Sequence, residues 1–363
     1  NKWLNERTGG IILAYKKKDK LGYAFLINGW KVNLRIDTFM PQPSPRAPLF
    51  SMMNKRRDFL KLTGMAGLTL AGSGMVNGLS LPFGDPADKS PMDINTTEEN
   101  LSIIGQYGPW ATSLSKGKLP ALSFRKQEFT NPDAWREIAK KKLTERLGIP
   151  DIGGIPTVTV RKQYTYDGLH VEELTWQLPY GRPTDGILLK PLNANGPLPG
   201  ILAFHDHGGN KYFGTRKITR TSDNQHPLMA EHQKEYYSNK AWANEVAKRG
   251  YVVLVSDAFP FASRRVMMGD VPAHLRQGLT DTDPENPENI KAYNEWAGQH
   301  EHIMAKSLFS AGTTWPGVFL AEDQKALDIL CARKDVDASR IGCGGLSGGG
   351  MRTVFLGGFD SRI

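Results

Sequence analysis

The chain has 363 residues, room for one large domain with appendages or for two domains, and no apolar run in it is long enough to be an unambiguous membrane span. Thirteen lysines and arginines against four acids in residues 1–61 account for the whole formal charge of +9, and the remainder balances at 33 basic and 33 acidic residues. A globular part with no net excess of charge does not neutralise phosphates, so nucleic acid is not an expected partner despite the basic total.

The first 52 residues do not read as part of the fold. They carry a basic cluster at Lys16, Lys17 and Lys18 and end in a proline-rich run from Pro41 to Pro48. Residues 53–80 then give Arg56-Arg57-x-Phe59-Leu60-Lys61 followed by a mildly apolar stretch rich in glycine and small residues, the pattern of a twin-arginine export signal. The expected start of translation is Met52 or Met53, with the twin-arginine export machinery as partner and an exported, periplasmic or extracellular, destination. No cysteine follows the apolar stretch, which argues against a lipoprotein. Residues 81–150 are expected to be a linker and an N-terminal helix. Asn131 is the N-cap, Pro132 the first position, Trp135, Ile138, Ala139, Leu143 and Leu147 the apolar face, and Gly148 the stop.

From residue 151 the texture is that of an α/β domain. Strands are predicted over 157–164, 171–178, 185–191, 200–204, 251–257 and 341–346, and helices over 241–248 and 322–331. The runs Gly200–Phe204 and Tyr251–Val255 are continuously apolar, as strands buried on both faces are. Alternation of strand and helix at this spacing predicts right-handed crossovers and a largely parallel sheet flanked by helices. The stretch from Phe261 to Trp315, with a helix over 288–308, is expected to be an insertion beside the mouth of a site.

Two strand ends carry the chemistry. The run 341–350 turns from an apolar strand through Gly345-Leu-Ser-Gly-Gly349 into a helix, a GxSxG pattern that forces a tight backbone and exposes the Ser347 hydroxyl. The helix N-terminus behind it offers unpaired N–H groups that suit an oxyanion. A dinucleotide fingerprint fails here, because the third glycine position is Ser347, and a P-loop fails because no lysine follows. No cofactor is therefore expected. The other strand ends in His205-Asp-His-Gly-Gly209, and ligands of such sheets sit at the carboxyl ends of the strands.

Taken together, residues 185–363 resemble the α/β-hydrolase superfamily, and within it the dienelactone-hydrolase and acetyl-xylan-esterase-like branch. The resemblance implies that Ser347 is an acylated nucleophile, that Gly348 supplies one oxyanion N–H, and that the loop at Gly208 and Gly209 supplies the other. It implies an ester substrate, a small molecule or an acylated carbohydrate. His207, Asp257 and Trp315 are expected to line the substrate pocket. In the superfamily the triad acid and histidine follow the nucleophile; here only Asp360 does, and no histidine. The expectation is a fragment of a longer hydrolase with little turnover by itself. The alternatives are a prolyl-oligopeptidase-type peptidase, for which residues 80–180 are too short to form the large additional domain, and a non-catalytic remnant.

Among the other candidates, His205 and His207 share a strand face but lack a third ligand at a fixed spacing, and His300 and His302 are about 200° apart on a helix, so no metal site is expected. His226, His232 and His274 read as surface or loop residues. Arg340 is expected to pair with Asp335 and Asp337. Cys331 and Cys343 are consistent with free thiols or with a disulfide.

Overall fold

The structure, a computed structural model, describes residues 16–17, 20–21, 24–27, 102–115, 117, 119–282 and 285–363. The twin-arginine stretch 53–80 lies outside the described residues. Two compact units are formed, residues 34–126 and residues 1–33 with 127–363. In the first, helix α1 (Tyr107–Ser113) is the described regular element. The second contains a two-stranded ribbon, β1 (Lys16–Lys17) with β2 (Lys20–Leu21), and a seven-stranded sheet.

The strands of that sheet are β3 (Ala24–Ile27), β4 (Val158–Tyr166), β5 (Leu169–Trp176), β6 (Thr184–Pro191), β7 (Leu198–Phe204), β8 (Val252–Ser256) and β9 (Val336–Gly345), in the spatial order β3-β9-β7-β8-β6-β5-β4. The α/β architecture is as expected, but parallel pairing is confined to β7 with β8 and β7 with β9. Helical crossovers join those three strands. The strands β4, β5 and β6 follow one another through short turns, which can join only antiparallel neighbours, so that wing of the sheet is antiparallel. Strand β3 lies in the stretch that the sequence leaves outside the fold: it pairs antiparallel with Gly342–Gly345 of β9, satisfying an edge that would otherwise present bare N–H and C=O groups.

Strand alternation divides the core. Leu202 and Phe204 of β7 and Leu254 of β8 point to one face, where they meet α6 (Trp315–Cys331) and α7 (Gly348–Phe359). Ile201, Ala203, Val253 and Val255 point to the other, where they meet Trp242, Ala243, Val246 and Ala247 of α4 (Trp242–Ala247). Helix α2 (Pro132–Leu147) has the caps the sequence announces: Asn131 Oδ1 accepts the N–H groups of Asp133 and Ala134, and Gly148 is left-handed with φ 53°.

Two helix starts depart from expectation. Helix α6 begins at Trp315, about two turns before the predicted residue 322, because Thr314 caps it through Gly317 N–H and Pro316 suits the first turn. Helix α3 (Pro227–Tyr236) was not predicted; its N-cap is His226, whose Nδ1 accepts Leu228 N–H, a capping residue outside the usual Ser, Thr, Asp and Asn set. The insertion does form a long helix, α5 (Pro287–Ser310), with its own apolar cluster of Ile290, Tyr293, Trp296 and Ala297 against Tyr212, Phe213, Met229 and Met268. Cys331 and Cys343 are free, which closes the disulfide alternative. Arg340 pairs with Asp337 at 2.6 Å, whereas Asp335 is engaged by Arg333 and Lys190. Among the described residues no helix is long and apolar enough to cross a membrane.

Candidate active site at the ends of β7 and β9

The register Phe204 to Gly345 brings the carboxyl ends of β7 and β9 side by side, so the two glycine-rich loops of the sequence meet in space. Ser347 sits between β9 and α7 with φ 54° and ψ −116° and is exposed. A non-glycine residue in this region of φ and ψ carries strain of about 1–3 kcal/mol, which is retained where surrounding packing over-determines it. That packing is visible. A Cβ on Gly345 would lie 2.6 Å from Phe204 O, and one on Gly349 would lie 2.5 Å from Phe204 O and 2.9 Å from His205 O. These obstacles are backbone atoms and cannot rotate away. Gly349→Ala is therefore expected to lift the start of α7 off β7, costing about 1–3 kcal/mol of stability, measured by urea unfolding; an unchanged midpoint would show that the close approach is not needed.

The loop after β7 is held by a buried polar cluster that sequence reasoning did not find. Asp206, 1% exposed, accepts from His232 Nε2 at 3.0 Å and Tyr237 Oη at 2.5 Å, and Lys217 Nζ lies 3.8 Å away. Burial opposes its charge, but Lys217, His232 and Tyr237 outweigh burial and hold the carboxyl well below the usual range. Lys217 is wholly buried and donates to the carbonyls of Asp206 and His207, each at 2.9 Å. His232 thus belongs to the core of this cluster and not to the surface. The signal for it lay in the lysine and tyrosine downstream of the motif, but their sequence separation hides the contact.

The predicted pocket residues divide. His207 and Trp315 line a cavity of about 260 Å³ with His205, Phe261, Phe319, Gly348 and Arg352. Asp257 is not among the residues lining it: the carboxylate is buried, accepts Thr215 N–H at 2.7 Å and Ser263 N–H at 3.1 Å, and ties two loop starts to the end of β8. Burial pushes its pKa up. A Cβ on Gly348 would sit 3.1 Å from the backbone N of His207, so the N-terminus of α7 faces that peptide. Gly208 and Gly209 are both left-handed, with φ 52° and 64°, and Gly209 N–H donates to His207 Nδ1 at 3.1 Å. In this arrangement the Gly209 donor is engaged by that ring and does not point to an oxyanion.

His207 is fixed from both sides. Its Nδ1 accepts from Gly209, so its Nε2 carries the proton and donates to Glu301 Oε1 at 2.6 Å, and Lys211 donates to the same oxygen. Burial raises the Glu301 pKa, but the hydrogen bonds from His207 and Lys211 and the charge of the lysine prevail and bring it down to about 2. Glu301 comes from α5, so the insertion does reach the site. Both His207 nitrogens being committed, this histidine offers no lone pair to a serine proton. Among the described residues no histidine is hydrogen-bonded to Ser347: His205 turns Nδ1 to Asp206 O, His232 binds Asp206, and His300 bonds Trp296 O. Nor do those residues contain a cluster of three or more His, Cys, Asp or Glu arranged for a metal ion.

Comparison with known proteins gives a consistent fold. No family model matches the chain. It is 25% identical over 225 residues, 62% of this chain and 60% of the relative, to "Putative hydrolase YtaP" of Bacillus subtilis. A crystal structure named as a "putative acetyl xylan esterase" of Bacteroides fragilis superposes with a TM-score of 0.52 at 18% identity, covering 74% of this chain and 60% of that one. The chain thus spans about three-fifths of the length of each. The superposition, over a mixed sheet flanked by helices, establishes an α/β fold of the kind found in that esterase structure.

Proposed function

We propose that the chain carries the nucleophile of a serine ester hydrolase. Ser347 Oγ adds to an ester carbonyl and gives its proton to a base. The tetrahedral oxyanion forms against the backbone N–H groups of Gly348 and His207, and the alcohol leaves with a proton. Water then cleaves the acyl-enzyme by the same path in reverse. The observation that carries this reading is the strained, exposed Ser347 at the carboxyl end of β9, beside the loop that follows β7. In this reading His207, expected as a pocket residue, supplies the second oxyanion donor, because its backbone N lies beside Gly348 and the Gly209 N–H is engaged by the His207 ring.

No described residue serves as base, and both compared proteins extend well beyond the part they share with this chain. We place the base and its acid outside the described residues. The names of the compared proteins, a hydrolase and an acetyl xylan esterase, support an ester on a carbohydrate as substrate. The twin arginines Arg56 and Arg57 support export, tested by fractionating cells that carry both as lysine; unchanged export would remove this part of the reading. The hydrolase reading is tested by treating the longest natural polypeptide that contains this chain with a fluorophosphonate and locating the adduct by peptide mass. The expected adduct is on Ser347; an adduct elsewhere, or none under conditions that label a known serine esterase, removes the reading.

A further inference from the structure

The cavity of about 260 Å³ beside the Ser347 turn is walled by carbon. Phe261 lines it, Trp315, Pro316 and Phe319 bring the first turns of α6 to it, and Met351 comes from α7, one turn beyond Gly348. The polar residues of the lining are withdrawn. Arg352 and His205 are each 2% exposed and Asp206 1%, with Arg352 committed to Asp323 and Asp206 to His232 and Tyr237. His207 spends both ring nitrogens, on Gly209 and on Glu301. What the walls offer a ligand is therefore apolar contact.

Gly348 and His207, whose backbone N–H groups are the oxyanion donors of the hydrolase reading, line the same cavity. A carbonyl carbon held by those donors has the cavity within reach of one of its two substituents, the acyl chain or the alcohol. Chemistry separates the two. A carbohydrate alcohol carries hydroxyls that would give up water against these walls with no hydrogen bond in return. A hydrocarbon chain has no such loss and gains by leaving water. Size then bears on the length of the chain, because an apolar cavity of about 150 Å³ already accommodates benzene, and the single methyl of an acetyl group would leave most of this one unfilled.

We propose that the cavity is the acyl site of the ester hydrolase and takes an apolar acyl group of the size of a phenyl ring with a short spacer, not acetyl. The inference rests on the hydrolase reading and adds to it the class of acyl group. It departs from the acetyl group in the name of the compared esterase structure.

The test compares 4-nitrophenyl 3-phenylpropanoate with 4-nitrophenyl acetate as substrates of the longest natural polypeptide that contains this chain. The two esters share a leaving group and a saturated carbon beside the carbonyl, so they differ chiefly in what the cavity can hold. The phenylpropanoate is expected to show a kcat/KM about tenfold or more above that of the acetate. Met351 is 38% exposed, so a larger side chain there can narrow the cavity without entering the core; Met351→Trp is expected to lower the ratio of the two substrates about threefold or more. Ethylbenzene carries the ring without the ester and is expected to compete with the phenylpropanoate in the parent protein, a measurement that needs no variant. An acetate hydrolysed as well as the phenylpropanoate or better, an unchanged ratio in a folded Met351→Trp, or no competition by ethylbenzene overturns the proposal. Fluorophosphonate labelling separates the two readings: Ser347 labelled with acetate the better substrate removes this inference and leaves the hydrolase, whereas no label on Ser347 and no hydrolysis of either ester removes the hydrolase and the acyl site with it.

Discussion

Ser347→Ala, made in the longest natural polypeptide that contains this chain, is expected to lower hydrolysis of a short-chain activated ester by about 10⁴-fold or more. The size follows from what is lost: without the hydroxyl no acyl-enzyme forms, and what remains is water attacking a carbonyl held by backbone donors. The same position offers a control on folding. Ser347 holds φ 54° and ψ −116°, a conformation costly to any residue with a Cβ, so alanine inherits the strain and glycine does not. Ser347→Gly should be as inactive as Ser347→Ala yet no less stable, and more stable by about 1 kcal/mol if the strain outweighs the added entropy of the unfolded chain. Activity within tenfold of the parent in Ser347→Ala would end the hydrolase reading. An alanine variant clearly more stable than the glycine variant would show that the corner is not strained.

How much of this was legible before the fold was known depends on whether a signal was local. The buried strands β7 and β8 announce themselves as unbroken apolar runs, helix α2 by Asn131 and Gly148 at its ends, and the Ser347 corner by glycines whose side-chain positions the structure fills with backbone. Each is a statement about neighbours in sequence. The parts that escaped are contacts across long separations. Glu301 reaches His207 from 94 residues away and Asp206 meets Tyr237 across 31. Asp257 looked like a pocket residue because it ends a central strand, but two loop N–H groups turn it inward. A motif can place a residue at the rim of a sheet. Which way its side chain turns is decided by partners the motif does not contain.

The cluster beneath the β7 loop gives the largest expected effect on stability. Lys217→Met removes two donors from the carbonyls of Asp206 and His207 and leaves the buried Asp206 carboxylate with only His232 and Tyr237. Breaking one side of a buried charged pair costs about 3–5 kcal/mol, a large part of the about 5–15 kcal/mol by which a domain is stable, so the variant should unfold at markedly lower urea. Its partner substitution sharpens the result: Asp206→Asn combined with Lys217→Met should lose less than the two single losses added, because the second change no longer strands a charge. The pH dependence has a definite sign. Burial lowers the Lys217 pKa to about 8 although Asp206 and Asp257 pull it up and Lys211 pushes it down, whereas an unfolded lysine titrates near ~10.4. Between those values the unfolded chain binds the extra proton, so this lysine adds stability as pH rises from about 8 towards 10.5. Methionine has no such response. The gap between parent and Lys217→Met should therefore widen over that interval, by up to about 3 kcal/mol. A gap under about 1 kcal/mol at pH ~7, or one that narrows as pH rises, would show that the lysine is not the clamp that aims the His207 peptide at Gly348.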